Sequence, residues 1–227
     1  MTDYRTFRLS KINEAEFCHL KLLLFWPIFG MLFWFLERFY PARQYYVMYS
    51  RWDDLIPFCE LFLIPYLFWF VYLVGMHLYT LLYDTNAFRK FMWFIIITYC
   101  VTIVIYFVFP TCQNLRPETF ARDNLFTRFI ENFYQFDTNT NVCPSLHVIG
   151  SVAVYYASQQ TERFRTRGWK WVFGIITISI CVSTVFMKQH SVLDVIAAMP
   201  VCYIAYKLIE RKEYLYEETK NDYLPNT

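Results

Sequence analysis

Five side chains and one serine in the second half of this sequence have types and spacings that suit phosphoryl transfer. His190 and Asp194 stand four residues apart, so on one helix face the carboxylate can hold one imidazole nitrogen and leave the other as a nucleophile. The same carboxylate would stabilise the ring once it becomes positive after attack. His147, in C-P-S-L-H, is the candidate general acid, because a second imidazole beyond the phosphorus can protonate the leaving oxygen near neutral pH. Pro144 is expected at the first helical position, which leaves the backbone N–H groups of Ser145, Leu146 and His147 as an anion cradle to which the Ser145 hydroxyl adds a donor. Arg116 supplies a cation upstream of both histidines and Lys188 one two residues before His190, and the expected substrate-binding set is Arg116, Ser145 and Lys188.

The composition says what must hold these groups. Of 227 residues, 57% are hydrophobic and 22% aromatic, whereas 18% are charged, the balance of a membrane-embedded chain. A net charge of +2 with no Lys/Arg stripe excludes a nucleic-acid partner. Seven cysteines lie scattered without C-x-x-C pairing, and no His/Cys cluster has zinc-ligand spacing, so neither a metal nor another cofactor is expected. Cys112 and Cys143 fall on one predicted face, where a disulfide or two free thiols are both open.

Six apolar runs, roughly 20–36, 55–83, 91–109, 144–158, 169–187 and 191–207, approach the ~20 residues a helix needs to cross hydrocarbon. They predict an all-α polytopic membrane protein with six transmembrane helices and one domain over 1–227. The first run ends at Glu37-Arg38 with no small-residue cleavage site and is read as a retained anchor. Arg5, Arg8, Lys11, Lys21, Arg89, Lys90, Arg163, Arg165, Arg167, Lys170 and the basic residues after 206 share one side of such a layout, which makes that side cytoplasmic and places both termini there. The chemistry then faces the extracytoplasmic side. Residues 37–54, rich in Tyr and Trp, read as an interfacial loop, and 118–136 reads as helix inside the long segment 110–143. Glu60, an auxiliary candidate, would pair with Arg116 or Lys188 or reach outward, and His77 reads as a packed histidine.

With those motifs in hand, the chain resembles the type 2 phosphatidic acid phosphatase superfamily of integral membrane lipid phosphatases. Arg116-Pro117 match the end of its first motif. Pro144, Ser145 and His147 match the second, with Leu146 in place of glycine, and Ser183, His190 and Asp194 match the third at full spacing, so the matched motifs span 109–194. The resemblance implies a helical bundle, a metal-independent phosphohistidine mechanism and the roles given above. Phe109 and Thr184 stand where the family carries a lysine and an arginine. Leu146 and the H-S-x-x-D-V text look more like the branch of inositol phosphorylceramide and sphingomyelin synthases. The expected activity is a lipid-phosphate phosphatase acting on phosphatidic acid or a prenyl diphosphate at the outer leaflet. The alternative is a phospholipid headgroup transferase, and the third reading is a non-catalytic membrane scaffold or transporter. Partners are the membrane and a phospholipid or prenyl phosphate substrate; oligomeric state is left open.

Overall fold

The computed structural model describes residues 2–39 and 42–223, with side chains described to residue 212 except at 136. Its helices are α1 (Phe25–Arg38), α2 (Arg51–Leu55), α3 (Leu63–Tyr83), α4 (Thr85–Val108), α5 (Leu125–Phe136), α6 (Leu146–Gln160), α7 (Arg167–Phe186) and α8 (Val192–Tyr223). Two short strands, β1 (Tyr46–Val47) and β2 (Thr111–Cys112), pair in parallel with Tyr46 opposite Thr111. The all-α polytopic expectation is borne out. Five helical segments are long and apolar enough to cross a membrane: Cys18–Arg38, Glu60–Tyr83, Thr85–Val108, Arg167–Phe186 and Val192–Lys212. The remaining expected run, 144–158, coincides with α6, which has 15 residues and is the central helix of the bundle.

Helix α6 packs against α3, α4, α7 and α8. It can do so because Gly150, Ser151, Ala153, Ala157 and Ser158 are small and buried, which lets neighbouring backbones approach closely. Gly150 has the tightest position: a Cβ there would lie 2.9 Å from Trp69 Nε1 and 3.1 Å from the Tyr99 hydroxyl. Because Trp69 also packs on His147, with ring centroids 4.4 Å apart, the space at Gly150 helps set the position of that imidazole. Gly150→Ala is therefore expected to destabilise the bundle by about 1–3 kcal/mol and to lower turnover, read by thermal unfolding in detergent alongside activity. An unchanged unfolding temperature would show that Trp69 yields freely.

Local signals start and stop the helices that frame the site. Asp84 caps α4 by accepting from the Ala87 N–H at 3.0 Å, which closes the tight α3–α4 turn. Asn124 and Thr127 form a reciprocal capping box at α5. That helix begins at Leu125, later than the 118 expected, because the capping pair stops it there. The candidate histidine motifs gather where α6 and α8 begin and α7 ends, and the basic segments around 85–90 and 161–170 lie at the other end of the bundle.

Candidate active site

A tight turn carries the third motif. After α7, Lys188 adopts the left-handed region (φ 53°), its N–H donates to Val185 O at 3.0 Å, and the Gln189 N–H donates to Thr184 O at 3.1 Å. These two bonds form a Schellman closure, which uses the last carbonyls of α7 and turns the chain back toward α8. Ser191 then caps α8: its Oγ accepts from the Leu193 N–H at 3.2 Å, and Asp194 Oδ2 accepts from the Ser191 N–H at 3.0 Å. The same Oδ2 lies 3.1 Å from His190 Nδ1. His190 sits two residues before α8 rather than inside it, yet the expected pairing with Asp194 forms because the capping geometry draws the carboxylate back over the turn.

Asp53 was not singled out in the sequence. Its buried carboxylate, on α2, accepts from Ser191 Oγ at 2.6 Å and from the Val192 N–H at 2.8 Å, so it caps α8 from 138 residues away. Lys188 Nζ donates to the backbone carbonyl of the same residue at 2.7 Å. Burial lowers the Lys188 pKa, and the neighbouring Asp53 and Asp54 charges oppose that. The structure thus ties Lys188 to α2 and does not bring it into the cavity described next. The S-R-W-D text at 50–53 is itself a capping box and is the signal that could have marked Asp53.

The second motif sits beside this turn. Helix α6 begins at Leu146 with Ser145 as its N-cap, so Pro144 precedes the helix instead of opening it as expected. The cradle is smaller for that reason. The Ser145 N–H donates to Asp194 O at 3.2 Å and its buried Oγ faces the Val148 N–H at 3.5 Å, which leaves Leu146 and His147 as the first-turn N–H groups without intrahelical acceptors. Tyr106 fixes the turn by donating to Pro144 O at 2.7 Å, and Thr111 Oγ1 accepts from the Val142 and Cys143 N–H groups. The His147 ring stacks on Tyr66 with centroids 4.4 Å apart, lies 6.0 Å from the His190 ring, and has an Nε2 that is buried without a partner among the described residues.

Both imidazoles line one cavity of about 170 Å³, together with Trp69, Tyr106, Asp137, Asn141 and Gln189. Among the described residues, no Lys or Arg lines it. Asp137 closes one wall, where burial raises its pKa and the Arg116 charge lowers it again. Arg116 lies behind the wall: it donates to Tyr134 O, Asp137 O and Thr138 O at 2.8–2.9 Å and to Gln189 Oε1 at 2.5 Å. Burial lowers its pKa, and the nearby Asp137 carboxylate opposes that. Glu37, at the end of α1, accepts from Thr138, Thr140 and Asn141 and anchors the same loop. Glu60 pairs with neither Arg116 nor Lys188. It meets Arg122 at 3.3 Å and Asn124 at 3.1 Å, because its position at the mouth of α3 faces the cap of α5. His77 is packed as expected, with Nδ1 against Leu73 O at 2.8 Å.

All seven cysteines are free, Cys112 and Cys143 among them. Burial, reinforced by the adjacent Asp194 charge, pushes the Cys143 thiol up to about 12, so it stays protonated at neutral pH and resists oxidation. Thiol titration of denatured protein without reductant is expected to count all seven; five would show a bridge.

The sequence profile of the PAP2 superfamily matches residues 58–208, which include α3, α4, both histidine motifs and most of α8. The chain belongs to the PAP2 superfamily. No curated protein and no solved structure matches it. For a PAP2 protein, the general function is phosphatase or phosphotransferase chemistry on lipid phosphates at a membrane.

Proposed function

We propose that the chain is a lipid phosphotransferase that cleaves a phosphodiester through a phosphohistidine on His190 and passes the phospho-headgroup to an alcohol. The observation that carries the chemistry is the placement of His190, held by Asp194, across one cavity from His147. With Nδ1 engaged by the carboxylate, Nε2 attacks phosphorus, and His147 protonates the departing lipid alkoxide. The acceptor hydroxyl then attacks the phosphohistidine and returns its proton to His147. Leu146 and His147 N–H groups offer neutral donors to the transferring group.

The cavity wall favours a diester over a monoester. A phosphate monoester brings two negative charges and needs positioned cations, whereas a diester brings one. Asp137 lines the cavity, Glu37 binds the loop that forms its rim, and the cations Arg116 and Lys188 are committed to carbonyls outside it. The sequence departures at Phe109 and Thr184, where two phosphate-binding cations are missing, point the same way, and Leu146 with the H-S-x-x-D-V text resembles the synthase-like branch. The second reading is a phosphatase for phosphatidic acid or a prenyl diphosphate, favoured by the family relationship itself; it shares the first half-reaction and differs in letting water resolve the intermediate. The catalytic end is assigned to the extracytoplasmic side, since the basic segments lie at the opposite end.

The test is purified protein with phosphatidylcholine, phosphatidylinositol, phosphatidic acid and a prenyl diphosphate, each with and without diacylglycerol or ceramide. Headgroup transfer without free phosphate is expected. Phosphate release from the monoesters alone would establish the phosphatase reading instead.

A further inference from the structure

Gln189 lies between Lys188 and His190 and belongs to none of the motifs. Its side chain is nearly fully buried, at 3% exposure, and lines the cavity with both histidines. Arg116 donates to Gln189 Oε1, and a guanidinium can only donate. That contact decides which end of the amide faces which way: the oxygen must point at Arg116, and the NH2 group must point elsewhere. Gln189 Nε2 has no hydrogen-bond partner among the described residues. A buried amide donor left unpaired costs about 1–3 kcal/mol, so its retention beside two imidazoles calls for a partner that arrives with the substrate.

We infer that Gln189 Nε2 is a binding donor to a non-bridging oxygen of the transferring phosphate, and that Arg116 acts through it as a positioning residue. This rests on the phosphohistidine reading above and names the donor that replaces a cation in it. Arg116 polarises the amide by taking its oxygen, which makes the NH2 protons better donors without adding a full charge to the cavity. Its other bonds, to Tyr134 O, Asp137 O and Thr138 O, hold the guanidinium still, so the amide is fixed before substrate enters. A polarised neutral donor suits one negative charge, in keeping with a diester. The Schellman turn supplies the register: the Gln189 N–H is consumed by Thr184 O, and the side chain emerges on the residue adjoining the nucleophile.

Gln189→Glu separates this role from a structural one. Glutamate still accepts from Arg116, more strongly than the amide does, so a residue whose only task is to hold Arg116 would tolerate it. Loss of the donor and arrival of a negative charge beside the phosphate are expected to lower kcat on the order of 10²–10³-fold. The probe is bis(para-nitrophenyl) phosphate, a chromogenic phosphodiester, with nitrophenolate release followed for wild type, Gln189→Glu, Gln189→Asn and His190→Gln. Asparagine, one methylene shorter, cannot reach Arg116 and the phosphate together and should lose a similar factor. Retention of kcat within about threefold by Gln189→Glu, while His190→Gln is inactive, overturns this inference and leaves the phosphohistidine reading intact. Should Gln189→Glu not yield monodisperse protein, retention by Gln189→Asn overturns it in the same way. An active His190→Gln, or a wild type that releases no nitrophenolate, refutes the underlying reading instead.

Discussion

Alanine at His190 is expected to remove turnover by at least about 10⁴-fold and to remove any covalent intermediate, whereas alanine at His147 slows only lipids with poor leaving groups. The asymmetry follows from the environment of each ring. His190 has its Nδ1 against a fully buried carboxylate, so Nε2 keeps the lone pair and the ring that forms on attack is stabilised where it stands. His147 has no carboxylate bonded to it among the described residues; it is clamped between Tyr66 and Trp69 and lines the same cavity. As the second imidazole of the cavity it is the group placed to protonate a leaving oxygen, and the loss of a general acid costs about 10²–10⁴-fold only where the leaving oxygen needs a proton. Comparing a lipid substrate with a nitrophenyl diester in each variant reads the difference. Equal losses for His147→Ala on both substrates would remove the general-acid assignment.

Asp53→Ala is expected to have the largest effect on stability, about 2–4 kcal/mol, with a parallel loss of turnover. This carboxylate is 1% exposed and carries three donors: the Ser50 N–H at 2.7 Å, Ser191 Oγ at 2.6 Å and the Val192 N–H at 2.8 Å. Alanine would leave three donors without their partner, the buried Ser191 hydroxyl and the part-buried Ser50 and Val192 N–H groups, and two of them belong to the cap that draws Asp194 over His190. Destabilisation and catalytic loss should therefore travel together. Asp54, exposed on the same helix, is the control and should shift stability by no more than about 0.5 kcal/mol on replacement with alanine. Thermal unfolding in detergent decides the matter: an Asp53→Ala protein within about 0.5 kcal/mol of wild type would show that α2 is dispensable to the turn.

The sequence showed the all-α membrane architecture because long apolar windows and their basic flanks are local features. It showed the His190–Asp194 pair for the same reason, since four residues separate them. What it hid depends on contacts across the chain. Asp53 and Ser191 meet over 138 residues, Arg116 and Gln189 over 73, and Glu37 and Asn141 over 104. A charge in a sequence does not reveal its partner. Arg116 and Lys188 were read as phosphate ligands because cations near histidines suggest anion binding, yet the fold uses both to bind carbonyls around the site. Glu60 illustrates the converse, as its partner Arg122 lies in the loop before α5, where no periodicity pointed to it. The small residues of helix α6 became informative only once four helices were seen packed around it.

The most direct test of the account is to trap the covalent intermediate and find the residue that carries it. Protein mixed with phosphatidylcholine or phosphatidylinositol and quenched at high pH, where phosphohistidine survives, is digested and mapped by mass spectrometry. The account predicts one modified peptide containing His190, bearing phosphate together with the headgroup, formed in His147→Ala with a good leaving group and absent in His190→Gln. A modification on His147, or turnover with no modified histidine at any time point, would contradict it.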